Sequence, residues 1–272
     1  MTRQIRREMM IITRIAAAAL VAALLPAGAM AAGGAGHVDD IAFSFEGPLG
    51  KYEPAQLQRG LQVFNEVCSA CHGMKFVSFR SLGEPGGPGY DDAQVKALAA
   101  LYEVPDQNGD LGDMRTALPV DNFPANEAMN APDLSLMAKA RAGFHGPVGL
   151  GINQFVKGIG GPEYLYSVLT NYTGEEVEVA GVVLYGNRTM AGGLIAMSPP
   201  LMDDLLEYAD GTPATSEQMA EDVSAFLMWT AEPKMSERKS AGVRNFLFIA
   251  VLSVLLYLTN KKLWMPIKHP TA

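Results

Sequence analysis

This sequence is short of cysteine, histidine and positive charge. Cys68 and Cys71 are the only two cysteines. A disulfide-stapled scaffold and a four-cysteine zinc site are therefore both excluded. The four histidines, His37, His72, His145 and His269, stand singly, so no histidine cluster offers a second metal site. Lys and Arg number 21 against 29 Asp and Glu, for a formal charge of -8. That balance argues against a nucleic-acid partner, because phosphates call for basic patches. The chain has no internal repeat and no continuous low-complexity tract, and its long apolar runs are confined to the two ends.

What is there centres on Cys68-Ser69-Ala70-Cys71-His72. This Cys-x-x-Cys-His run is the pattern of covalent c-type haem attachment. Two thiols about one helical turn apart can each form a thioether to a porphyrin vinyl group, and His72 then falls where its imidazole can ligate iron. One haem c, bound through two thioethers, is the expected cofactor. Two rival readings are a redox dithiol and half of a zinc site. The first would sit in an alternating strand–helix pattern, and the second would need another Cys or His pair at short spacing. Neither is present.

The N-terminus predicts an export signal. Arg3, Arg6, Arg7 and Arg14 make a basic region, Ile15–Leu25 is apolar, and Ala29-Met30-Ala31 is a small-x-small cleavage site. Removal of 1–31 takes four arginines and one glutamate with it, and moves the charge from -8 to -11. Near the other end, Phe246–Leu258 is apolar except for Ser253, and the 19 residues from Ala241 to Thr259 make about 28 Å of helix. Lys261, Lys262 and Trp264 follow as interfacial residues. The expected organisation is a cleaved signal over 1–31, a periplasmic haem domain over 32–240, a single membrane anchor over 241–260 and a cytoplasmic tail over 261–272. The location is a bacterial inner membrane.

Within the body, Pro54 opens a helix that runs into the haem motif, with Leu57, Leu61, Phe64 and Val67 on one stripe. Gly60 on that helix would let another helix approach closely. The partner helix is capped by Thr215, with Gln218 as its capping-box mate, carries Met219, Val223, Phe226 and Leu227, and ends at Pro233. First and last helices crossing beside a covalent haem are the frame of the small c-type cytochromes. The fold class expected is mostly α: a class I cytochrome c-like haem domain with long loop insertions, plus one C-terminal transmembrane helix. Between the two helices, Phe43 and Phe45 anchor an extended arm, and Asp91 or Asp92 starts a short helix. Residues 103–131 read as irregular. Pro132-Asp133 begins a helix through Leu134, Met137 and Arg141, and Pro162-Glu163 opens another. Residues 171–196 read as Gly-rich loop with a short apolar piece at Val182–Leu184.

The second axial ligand decides the chemistry. Met/His ligation suits electron transfer, and an open position suits oxygen or peroxide chemistry. Among 15 methionines, Met197 stands out, because Gly192-Gly193 precede it and Ser198-Pro199-Pro200 follow it. The prolines stiffen the backbone on which its thioether sits. His145, in a Gly/Pro loop, is the bis-imidazole rival. On residues alone both stay open.

Several segments taken together resemble bacterial cytochrome c1, the c-haem subunit of the cytochrome bc1 complex. They are Phe64–His72, Ala131-Pro132-Asp133-Leu134-Ser135, Gly160-Gly161-Pro162-Glu163-Tyr164, Met197-Ser198-Pro199-Pro200-Leu201, Tyr208–Ala214, Trp229–Pro233 and Tyr257–Lys261. The resemblance runs in order over nearly the whole mature chain. It implies that Cys68 and Cys71 hold the porphyrin, that His72 is the proximal ligand and that Met197 is the distal one. It also implies that Pro132 packs on the haem and that Arg141 and Tyr164 lie near a propionate. A guanidinium there could bind a carboxylate through two hydrogen bonds. The implied task is one-electron transfer from a Rieske iron–sulfur protein to a soluble or membrane-anchored cytochrome c, alongside cytochrome b and membrane lipid, with no quinol-oxidising site in this chain. Some bacterial relatives carry a longer, disulfide-stapled insertion before the ligand methionine, whereas here 171–196 is short and no further cysteine exists. A stand-alone tethered cytochrome c carrier and a peroxidase-type haem enzyme are the alternative readings.

Overall fold

The computed structural model describes residues 36–106, 109–110, 112–126, 130–143 and 158–268. The predicted signal segment, His145 and the end of the tail lie outside them. Helix α1 spans Pro54–Glu66 and leads directly into a 3-10 turn at Cys68–Ala70. Proline at its first position suits a helix start, since the missing N–H would have no intrahelical partner. A second 3-10 segment, Phe79–Gly83, is followed by α2 at Asp92–Ala99. Asp91 caps α2, its carboxylate accepting from the Gln94 backbone N–H at 2.8 Å while Gln94 Oε1 accepts from the Asp91 N–H at 2.9 Å. Further on come α3 at Met137–Ala140, α4 at Gly161–Thr170, α5 at Ser216–Ala231 and α6 at Met235–Lys268.

The core lies where α1 crosses α5. A Cβ on Gly60 would sit 2.1 Å from the Asp222 carbonyl oxygen, so glycine is what allows the two backbones to approach. Leu57, Leu61 and Phe64 are buried as the stripe predicts, and Val67 is half-buried. The α5 helix is buried almost all round, so its central position rather than a one-sided stripe sets its composition. Arg59 of α1 reaches fully buried Asp222 of α5 through two parallel bonds, of 2.9 and 3.0 Å, and Asp210 through a third of 2.8 Å. Phe123 joins from the following loop, with ring centroids 5.9 Å from Phe64 and 4.2 Å from Phe79. Phe43 and Phe45 stack at 4.9 Å and are buried, which makes the N-terminal arm part of the core.

Four expectations need correction. Residues 103–131 are not wholly irregular: β1 (Glu103–Pro105) and β2 (Met114–Thr116) pair antiparallel. The helix expected from Pro132 through Arg141 is reduced to α3, because Asp133 bonds the Ser135 N–H at 3.0 Å and holds a turn instead. Arg141 lies just past α3 in extended conformation. The α5 cap is half of the expected box: Thr215 accepts from Gln218 N–H at 3.1 Å, but the Gln218 amide turns to Asp222. The largest correction is at 171–196, which forms a three-stranded antiparallel sheet. Its strands are β3 (Tyr172–Val179), β4 (Val182–Asn187) and β5 (Leu194–Ile195), in the order β3-β4-β5.

Helix α6 buries Met235 beside α5 and is exposed over its apolar stretch from Phe246 to Leu258. It is long and apolar enough to cross a membrane over Met235–Met265, and it starts several residues before the anchor expected at 241.

Candidate haem centre

The 3-10 turn after α1 carries the Cys-x-x-Cys-His run. Val67 still closes onto Val63 (3.0 Å), and the N–H groups of Cys71 and His72 both bond the Cys68 carbonyl, at 3.2 and 2.9 Å. This tight turn puts both thiols and the imidazole on one short loop. Cys68 and Cys71 are not joined in a disulfide, and each is half-buried.

His72 carries the most informative contact. Its Nδ1 lies 2.7 Å from the Pro132 carbonyl oxygen. A carbonyl can only accept, so Nδ1 holds the proton and Nε2 keeps its lone pair. That is the tautomer a metal needs, and the bond also fixes the ring's orientation. The segment around Pro132 is in turn stitched to the loop after the motif. Leu134 N–H bonds Gly73 O (2.9 Å), Asp133 accepts from Lys75 N–H (2.9 Å), and Ser135 Oγ accepts from Phe76 N–H (3.1 Å). From the other side, the Asn126 amide donates to the Ser69 and Ala70 carbonyls at 3.1 and 3.0 Å.

Thus the structure brings Cys68, Cys71, His72 and Pro132 together. The other candidates sit on other elements. Met197 follows β5, half-buried, and its carbonyl accepts a 3.1 Å bond from the Tyr172 hydroxyl. The same hydroxyl lies 3.5 Å from the Ser198 carbonyl. Burial pushes Tyr172 up to about 12, so it stays a donor. Tyr164 on α4 points its hydroxyl at the Met190 sulfur, 3.4 Å away. Arg141 is exposed, and its guanidinium donates to the neighbouring Ala140 carbonyl at 3.3 Å. The elements of Arg141 and Tyr164 meet closely: a Cβ on Gly161 would fall 1.6 Å from the Ala138 carbonyl oxygen.

Sequence reasoning missed Asn126, Asp133, Ser135 and Tyr172 as supports. Asp133-x-Ser135 carries an Asx-turn signature that was readable. Asn126 and Tyr172 act across 57 and 25 residues of chain, and no local pattern announces that.

The donor set fits a haem c: two cysteine sulfurs, one imidazole oriented through its Nδ1 bond, and core side chains behind them, with Val67 and Cys68 packed on the buried cluster. Among the described residues no group of three or more His, Cys, Asp or Glu side chains converges as a metal cage. The family relationship follows from most of the chain: residues 43–267 match the model of the cytochrome C1 family. The chain belongs to the cytochrome c1 family. It is 53% identical to the cytochrome c1 of Cereibacter sphaeroides over 279 residues, covering 94% of this chain and 97% of that one. It is 48% identical to the cytochrome c1 of Rhodobacter capsulatus, over 85% of this chain and 90% of that one. It is also 41% identical to a Bradyrhizobium diazoefficiens protein named cytochrome b/c1, covering 82% of this chain and 35% of that one. As a cytochrome c1 family chain it is a haem-carrying electron-transfer subunit, and its apolar C-terminal helix fits a single membrane span.

Proposed function

We propose that this chain takes single electrons from a Rieske iron–sulfur protein and passes them to a soluble or membrane-anchored cytochrome c, as the c-haem subunit of a bc1 complex beside cytochrome b. A haem held here supplies a one-electron iron couple. The rest is this chain's own work. Cys68 and Cys71 would hold the haem through two thioethers. His72 would ligate through Nε2, its Nδ1 proton held by the Pro132 carbonyl. Met197 would supply a thioether sulfur as the second ligand, which suits electron transfer. Tyr172 holds the backbone that carries it. Pro132 would pack on the porphyrin, and Arg141 and Tyr164 would serve the propionates. The haem domain lies on the periplasmic side, behind a cleaved export signal.

The observation that carries this reading is the His72–Pro132 bond on the loop that carries Cys68 and Cys71. It prepares a metal-ready imidazole on the attachment loop. The test is mild detergent extraction through a tag on this chain. It is followed by a reduced-minus-oxidised spectrum, a subunit gel and a quinol-to-cytochrome c assay. Co-purifying b-type haem and an iron–sulfur subunit, with quinol-driven reduction of cytochrome c, is the expected result. Recovery of c-type haem alone from intact membranes would make the chain a tethered carrier. Rapid carbon monoxide binding by the reduced native haem would favour the enzyme reading.

A further inference from the structure

Three polar side chains, Ser167, Asn187 and Thr189, are buried where the base of the β3–β4 hairpin meets α4 and the N-terminal arm. Buried polar groups are costly unless they are bonded, and these are. Asn187 Nδ2 donates to the Val168 carbonyl at 2.8 Å, and its Oδ1 accepts from the Thr189 N–H at 3.0 Å. The Asn171 amide divides its two hydrogens between Thr189 Oγ1 at 3.2 Å and Asp39 Oδ2 at 2.7 Å. The arm closes over this group from outside. The Asp39 N–H donates to Ser167 Oγ at 2.8 Å, and the His37 N–H donates to the Arg188 carbonyl at 2.9 Å. A Cβ on Gly36 would fall 2.2 Å from the Thr189 carbonyl oxygen, so the arm lies directly against the segment that leaves β4. A polar network whose members are satisfied in this way holds a single arrangement.

The network sits at the root of the loop that carries Met197. That loop, Arg188 to Met197, rests at both ends on two adjacent residues. The Arg188 N–H bonds the Asn171 carbonyl at 3.0 Å, and the Met197 carbonyl accepts from the Tyr172 hydroxyl at 3.1 Å. Between those ends Gly192 and Gly193 take φ angles of +87° and +75°. Glycine is free to leave such angles, so the loop has little stiffness of its own and its position is set at its root. A shift of Asn171 moves both supports together. Asp39 holds Asn171 from a separate stretch of chain, and its side chain is 34% exposed, so it can be altered with little cost to the core.

We propose that the N-terminal arm completes the distal half of the haem site: Asp39 clasps Asn171, Asn171 and Thr189 fix the root of the 188–197 loop, and the loop thereby holds the Met197 sulfur in place. Asp39, Asn171 and Thr189 are positioning residues in this scheme, which rests on Met197 being the distal ligand. No covalent step is involved.

The test uses the intact membrane assembly in detergent and three variants. Asp39→Ala removes the clasp. Thr189→Val removes one acceptor without changing shape. Asp39→Asn keeps an acceptor oxygen for the Asn171 amide. Three signals are followed: the far-red methionine–iron band of the oxidised protein through a thermal melt, the rate of carbon monoxide binding to the reduced haem, and the helical circular dichroism. An unchanged reduced α-band certifies that haem is attached in each. Asp39→Ala and Thr189→Val are expected to lose the far-red band below the wild-type temperature, while the helical signal melts where it did before. Carbon monoxide should bind about fivefold faster in each, the equilibrium worth of one hydrogen bond. Asp39→Asn should restore both values. Wild-type band and rate in Asp39→Ala and Thr189→Val overturn the proposal. So does a band that shifts only in step with the helical signal, which would make the network a general support. Failure of Asp39→Asn to rescue overturns it as well. Met197→Leu separates the two levels. If that variant keeps the band, the ligand assignment itself has failed; if it loses the band while Asp39→Ala and Thr189→Val match the wild type, the assignment stands and the clasp falls.

Discussion

At the scale of single residues, the site depends on groups that never touch the iron. Tyr172→Phe removes the bond to the Met197 carbonyl, worth about 1 kcal/mol. The methionine–iron charge-transfer band in the far-red oxidised spectrum should then melt at lower temperature, with the α-band of the reduced haem unchanged. Met197→Leu should abolish that band, lower the midpoint potential and admit carbon monoxide. If Met197→Leu leaves the band in place, the distal ligand lies elsewhere and the Tyr172 prediction falls with it. Glu163 makes a different prediction. Its carboxyl is raised from 4.5 to about 7, chiefly by burial and further by Glu46 and Asp40. The folded state therefore holds this proton more tightly than the unfolded chain does. Stability is full below about pH 4.5 and declines as pH rises toward 7 and beyond, by about 3 kcal/mol at most. Glu163→Gln should flatten that decline in thermal melts taken between pH 5 and 8.

At the scale of elements, the crossing of α1 and α5 sets the position of the attachment turn. Gly60→Ala forces a Cβ against the Asp222 carbonyl and the Phe226 side chain. A loss of about 1–3 kcal/mol is expected in denaturant titrations, with less haem attached per chain. These helices were legible in the sequence because their signals are local: Pro54, the Asp91 and Thr215 caps, and the Leu57–Phe64 stripe. The attachment motif was legible for the same reason. The β3–β4 hairpin was harder to read. Glu176-Val177-Glu178-Val179 does alternate, and Ala180-Gly181 forms a two-residue turn with both φ angles positive, +52° and +82°. Its valines are exposed, however, so the alternation marks no core face. The base of the hairpin is held from a distance, by Asn187 Nδ2 on the Val168 carbonyl at 2.8 Å. The three-residue strands β1 and β2 exist only through their pairing, and no propensity window would find them. The over-long helix drawn from Pro132 failed because Asp133 spends its side chain on the backbone.

At the scale of the whole molecule, the acidic surface is less uniform than its composition suggests. Asp121 is held by Arg115 at 2.6 and 2.8 Å, which, together with the Leu118 N–H, lowers its pKa. Asp203 is occupied in bonding Ser216. Glu175, Glu176 and Glu178 stand exposed on β3, and they are the better candidates for meeting a basic partner. The second-order rate of cytochrome c reduction should fall as salt rises, as screening shortens the reach of this surface. Replacing the three glutamates with glutamine should flatten the salt dependence, and a rate indifferent to salt in the unaltered protein would remove electrostatic docking. The junction of head and anchor bears on the same traffic. The Tyr52 hydroxyl lies 3.1 Å from the Met228 carbonyl and 3.2 Å from that of Glu232, and Ser236 accepts from the Tyr52 N–H at 3.2 Å. Glu232 clasps Lys139 and Arg238, and Lys234 reaches Glu84 at 2.8 Å. A post braced this way is expected to hold the head at a fixed angle to α6. In the proposed complex, a partner too distant for electron tunnelling would then have to make the journey itself.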